Sequence, residues 1–302
     1  MSGAVLSEAE VLESFQKVSN WGRWGADDEL GTLNYITPEK VVAAAALVRS
    51  GRVVSASHDL SPVHSAKNSG PLRHRMIYRG AHPHGAADEM LLYNHGLHQT
   101  HVDALTHHFY EDKVYNGRDV AEVVRAQGLA FGSVYVQRNG LVTRGVLLDV
   151  ARARGVDWLD PSDTVTAADL QAAEDLAGTR VESGDAVLVR IGLGLREART
   201  GPEDVSLRTG LGPDCPLWLH EREVALFGSD CPEKLPSAYP SIGLTWHIAA
   251  LVFMGLVLVD TVDMEAVAEA AAAEGRSEFL YTQAPLRFAG GTGCPINPLC
   301  VF

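Results

Sequence analysis

The sequence predicts an α/β fold with an N-terminal arm, and three observations predict it. Short apolar runs rich in β-branched residues, at 146–150, 186–191 and 256–259, read as buried strands. Amphipathic segments stand around them, with helix-start signals at Ser7, Thr37, Thr166 and Asp263. Strands and helices mix without strict βαβ alternation, and the linkers between them are short.

Taken in order, Ser7-x-x-Glu10 is a capping box that opens a helix with Val11, Leu12 and Phe15 on one face. The NWGRWG stretch at 20–25 puts Trp21 and Trp24 on a Gly-rich loop, either a lid over a pocket or a strap across the core. Thr37 caps the next helix, with Pro38 at its first position and Gly51 just past its end. Residues 1–50 therefore read as a helical arm with a Trp-containing loop. Residues 52–60 alternate like a strand, 61–70 and 82–87 read as loops, and 119–126 as a short helix closed by Gly128. Thr166 caps a helix that ends near Gly178; 217–226 and 246–253 read as helices, and Asp263 caps a helix through Ala273. The closing GGTGCP at 290–295 reads as irregular. No internal repeat is visible, and 1–302 reads as one domain.

Composition narrows the function. A chain of 302 residues, 46% hydrophobic and 21% charged, is long and apolar enough to bury a large core, which excludes disorder as its main state. A net charge of −13 with no Lys/Arg cluster argues against nucleic acid and anionic membranes as partners. The longest apolar run, 248–259, is short of the roughly 20 residues a bilayer span needs. The first ten residues have no apolar signal-peptide core, and the four cysteines show no C-x-x-C spacing. Free thiols in a cytoplasmic protein are expected.

Histidine is the informative residue. Five of the 12 lie between 95 and 108, in the run His95-Gly-Leu-His98-Gln-Thr-His101-Val-Asp103-Ala-Leu-Thr-His107-His108, threaded with apolar residues unlike an exposed tag. With 97–103 as a strand, His101 and Asp103 project to one side, roughly 6–7 Å apart. A single ion can sit between them, since imidazole and carboxylate both ligate Zn²⁺ or Mn²⁺. His107 follows after a turn and can swing back as a third ligand or a general base. Gln99 shares the His101 face as a weak amide ligand or a substrate hydrogen bond, and His108 is a further substrate contact. Trp21 and Trp24 are the preferred pocket wall for a flat or apolar substrate. His58, His64, His74, His82 and His84 lie in or near loops, where one can line the pocket. His220, among charged neighbours, reads as surface. Gly192-Leu-Gly194 follows a strand, but Glu197 stands where a dinucleotide fold needs its third Gly, which argues against NAD.

The residues THVDALTH at 100–107 resemble the core of the cyclase-family signature, H-x-G-T-H-x-D-x-P-x-H. The likeness extends to NWGRWGADDELGTLN at 20–34, Tyr-Asn-Gly at 115–117 and PLRFAGGTGCP at 285–295, so it covers most of the chain and points to the longer members. That family includes kynurenine formamidases, isatin hydrolase and a trans-dienelactone hydrolase. The resemblance implies a swivelling β/β/α fold, with a mixed sheet and flanking helices. It also implies a homo-oligomer (dimer or tetramer) and a divalent metal, Mn or Zn, that helps add water to an amide, lactam or lactone carbonyl of a small molecule. By position, His101 and Asp103 match the metal motif, His107 its last His, and His247 with Asp260 the later His–acid pair.

The departures define the question. The first His of the signature falls on Leu97, its Gly on Gln99 and its Pro on Leu105. Strand alternation points His98 to the opposite face. His95 has the right parity but lies six residues from His101, roughly 20 Å along an extended chain. Two local ligands therefore remain, to be completed by His107, His247 or Asp260. Three functions follow. One is metal-dependent hydrolysis of a cyclic amide, lactone or N-acyl bond, with His101, His107 and His247 moving protons. The second is metal-independent cyclisation or dehydration of a biosynthetic, polyketide-like intermediate. The third is small-molecule binding without catalysis.

Overall fold

The apolar runs pair into a nine-stranded sheet. The structure is a computed structural model, and it describes residues 6–77, 85–231 and 233–302. The middle of the sheet is parallel: Leu141–Asp149 pairs with Ala186–Arg190, then Leu226–Ser229, then Val257–Asp260. The last three are buried at every residue, as strands covered on both faces must be. Beyond Val257–Asp260 come two antiparallel strands, His101–Asp103 and Gly293–Pro295. Beyond Leu141–Asp149 come Glu278–Gln283, Leu299–Val301 and Val53–Ser55, again antiparallel. This is the α/β architecture that the sequence implies, a mixed sheet with flanking helices.

The helix signals act where they stand. Ser7 and Glu10 close a capping box on helix Glu8–Lys17, Thr37 caps Pro38–Ala45, Thr166 and Asp169 cap Ala167–Ala177, and Asp263 caps Met264–Glu274. Thr245–His247 begins a helix that continues as a π-helical segment, Ile248–Met254, buried throughout. Val11 and Phe15 of the first helix pack on Ile248, Val252 and Phe253. The four cysteines are free and buried. Among the described residues no helix is long and apolar enough to cross a membrane.

Several local expectations are corrected. The 52–60 strand shrinks to Val53–Ser55. The 119–126 helix is only Val120–Val123, because residues 124–125 turn back to pair with 128–129. The 217–226 helix is Cys215–Glu221; the chain reverses at Glu223, whose φ is 52°, and Leu226 opens a central strand. The tail is not wholly irregular, since Gly293–Pro295 pairs with His101–Asp103. Arg73–Ile77 and Ala87–Leu91 form an unforeseen antiparallel pair, exposed along both strands. His82 and His84 lie outside the described residues. The expected 97–103 strand is reduced to His101–Asp103, and the site follows from that change.

Candidate functional site

The site is built at the end of the last parallel strand. Asp260 closes that strand and is the cross-strand partner of His101. Asp103 lies two residues along, on the same face. The chain before His101 is bent, not extended. Gly96 turns it at φ 144°, and Gln99 Nε2 donates to the carbonyls of Tyr93 (2.6 Å) and His95 (2.8 Å). That loop carries His95 back until its Nδ1 is 3.0 Å from Asp103 Oδ1. Gly293, opposite Asp103, leaves the room, since a Cβ there would lie 2.5 Å from His95 Cε1. The distance expected of an extended chain therefore does not apply, and His95 joins His101 at Asp103. Leu97 and His98 face a different cavity of about 130 Å³, shared with His58, Lys67 and Glu197.

Hydrogen bonds orient each ring. His101 Nδ1 donates to the Gln99 carbonyl (2.9 Å), which leaves Nε2 facing Asp103 Oδ1 at 3.5 Å. His95 Nε2 meets Thr292 Oγ1 at 2.9 Å. His107 stacks flat on His95, ring centres 3.6 Å apart, with Nε2 3.9 Å from Asp103 Oδ1. His108 sets its ring at a steep angle to both His107 (4.3 Å) and His247 (4.9 Å). His247 is pinned between two carboxylates: Nδ1 is 2.9 Å from Glu233 Oε2 and Nε2 is 3.1 Å from Asp260 Oδ2. Its Nε2 is also 3.8 Å from Asp103 Oδ2.

Two donor sets result, His95–His101–Asp103 and Asp103–His247–Asp260, each with ligand atoms within 4.8 Å of one another. Asp103 belongs to both. Its Oδ2 is buried and has no hydrogen-bond partner, although a buried carboxylate oxygen ordinarily finds one. Imidazole nitrogen and carboxylate oxygen are the donors that Zn²⁺ and Mn²⁺ take, so the residues fit the metal implied by the resemblance.

The electrostatics sort the histidines. Burial by itself raises the Asp103 pKa, but the His95 hydrogen bond and the fields of His107, His101 and His247 hold it well below the usual carboxylate range. Burial pushes His107 down to about 4 against the pull of Asp103. Burial, then the neighbouring His247 and His107, pushes His108 down to about 3. His247 goes the other way. Its burial opposes protonation, yet Asp260 and Glu233 outweigh that and raise its pKa well above the ordinary value.

The structure thus brings together His101, Asp103, His107, His108, His247 and Asp260. It turns Gln99 back onto its own loop, where its amide holds His95 in place. Trp21 and Trp24 pack elsewhere: Trp21 Nε1 donates to the Val252 carbonyl (2.7 Å) and its ring stacks on Phe253, while Trp24 sets its edge on Tyr35. These are the contacts of a strap. Sequence reasoning missed His95, Thr292 and Glu233. A turn signal at Gly96 could have pointed to His95; nothing in the spacing marks the other two.

The Cyclase family model matches residues 34–234, more than half of the chain. A solved structure of a novel cyclase is 29% identical and superposes with a TM-score of 0.81, over 94% of this chain and all of that one. Isatin hydrolase A from Ralstonia solanacearum is 22% identical, with a TM-score of 0.56 over 87% of this chain and 97% of that one. A structure described as a potential metal-dependent hydrolase with cyclase activity is 15% identical, with a TM-score of 0.51 over 82% of this chain and 96% of that one. No curated protein matches the sequence at a significant level. By its family model the protein is an enzyme. It belongs to the cyclase family.

Proposed function

We propose that this enzyme hydrolyses a cyclic amide, a lactone or an N-acyl bond of a small molecule, with a divalent ion, Mn or Zn, held by His95, His101 and Asp103. The observation that carries this reading is the bare, buried Asp103 Oδ2 standing between two His/Asp donor sets. Such an ion supplies Lewis-acid polarisation of a carbonyl and acidifies water. His247, held protonated between Glu233 and Asp260, is the proton donor to a leaving nitrogen or oxygen. His107 and His108 are neutral near pH 7, which suits a ligand or an acceptor to substrate better than a proton store. Gln99 and Thr292 act through His95 and position it. The exposed antiparallel pair, with Met76, Met90 and Leu91 each more than half bare, supports a homo-oligomer.

A second reading, ring closure or dehydration without metal, is favoured by one feature. His247 between two carboxylates is a ready acid whether or not an ion is near.

Metal content per chain, measured by elemental analysis after Mn²⁺ or Zn²⁺ is offered and the excess removed, separates the two. About one equivalent or more is expected, lost in His95→Ala and retained in His98→Ala. No stable metal in the native chain, or full metal in His95→Ala, overturns the assignment.

A further inference from the structure

Arg208 is only 7% exposed, and its Nε and Nη1 are buried with no hydrogen-bond partner. The other buried arginines among the described residues are paired. Arg190 reaches Asp149 (3.0 Å) and Glu265 (2.8 Å), and Arg196 reaches Glu203 (3.1 Å). The backbone of Arg208 is fixed by two hydrogen bonds with Leu235, 2.9 and 3.0 Å, two residues beyond Glu233. The negative charges that bear on its guanidinium are those of Glu203, Asp260 and Glu233. All three are committed elsewhere. Glu203 is held by Arg196, and Asp260 and Glu233 hold the two ring nitrogens of His247.

A buried guanidinium is costly unless its N–H groups are met, and here the protein does not meet them. A carboxylate supplies the charged acceptor oxygens that such a guanidinium lacks, and pairs strongly with it. We infer that Arg208, whose backbone is tied to Leu235 two residues from Glu233, is the receptor for a carboxylate group on the substrate. The inference rests on the proposed site reading and narrows its substrate to an amide or lactone that also carries an anion.

The test uses the full chain, once loaded with Mn²⁺ and once treated with chelator. Formate, acetate and benzoate are titrated calorimetrically against their neutral counterparts formamide, acetamide and benzamide, in wild type, Arg208→Gln and Arg208→Lys. The wild type should prefer each carboxylate by tenfold or more in both metal states. Arg208→Gln should lose that preference with its metal content unchanged. Arg208→Lys, which keeps the charge but not the fork, should retain part of it, and it carries the test if Arg208→Gln does not fold. Equal binding of acids and amides by wild type, an undiminished preference in the variants, or no binding of any probe overturns the inference. A preference seen only with Mn²⁺ and unmoved by either substitution belongs to the ion, and defeats the inference while leaving the hydrolase reading intact. A preference that depends on Arg208 in protein that never holds metal does the reverse.

Discussion

The helix that runs from Thr245 into the π-helical segment has two very different ends. At the Met254 end, the strap is tied to carbonyls of the helix. Asn20 N–H meets the Phe253 carbonyl (3.0 Å), Asn20 Nδ2 meets that of Met254 (2.8 Å), and Trp21 Nε1 meets that of Val252 (2.7 Å). At the His247 end, Asp103 Oδ2, 3.8 Å from His247 Nε2, has no hydrogen-bond donor, and Trp246 Nε1 has no acceptor. Buried polar groups that hold a fold together are satisfied, because an unmet one costs roughly 1–3 kcal/mol. The unmet Asp103 Oδ2 beside the two donor sets is what the proposed ion would complete. That contrast separates scaffold from function more sharply than burial does, since both ends of the helix are equally buried.

Substitution can break or sharpen this contrast. The largest effect is expected for Asp103→Asn, which takes a charge from both donor sets. Metal affinity should fall by more than about 100-fold, beyond the roughly 10–100-fold typical of outer partners, and elemental analysis with a competing chelator measures it. Next comes Gln99→Ala, which frees the loop behind His95 without touching a ligand. A loss of about 10–100-fold in metal affinity is expected, with the fold retained by circular dichroism. At the other end, Trp21→Phe keeps the ring stack and removes one hydrogen bond. It should cost about 1 kcal/mol, or roughly 2 °C in Tm, with metal content unchanged. The smallest effect is expected for Leu97→His, which restores the family signature on paper. Position 97 faces the neighbouring cavity, so metal content should not rise. A rise would mean that the loop can turn over.

Much of the molecule was legible in the sequence, for local reasons. Capping at Ser7, Thr37, Thr166 and Asp263 depends on side chains a few residues apart, and the buried strands declare themselves by β-branched runs. His101 and Asp103 share a strand face, so alternation alone put them together. The rest depends on chain reversals and on contacts far apart in sequence. Period-two alternation fails once Gly96 bends the chain, so an extended reading puts His95 far from Asp103, which it meets at 3.0 Å. Glu233 reaches His247 across 14 residues, and Thr292 reaches His95 across 197. The helix reading of 217–226 ran into Leu226, the first residue of a strand, because an apolar run follows an amphipathic one with only the reversal at Glu223 between them.

The loop from His95 to His98 has one more consequence. Because it doubles back, its two outer faces serve different neighbours: residue 95 looks to Asp103, while residues 97 and 98 look to the compartment shared with His58 and Lys67. A mutation at 97 therefore does not have to pass through the catalytic machinery to be tolerated. Substitutions at 97 are expected to change the shape of that second compartment and to leave the Asp103 cluster in place.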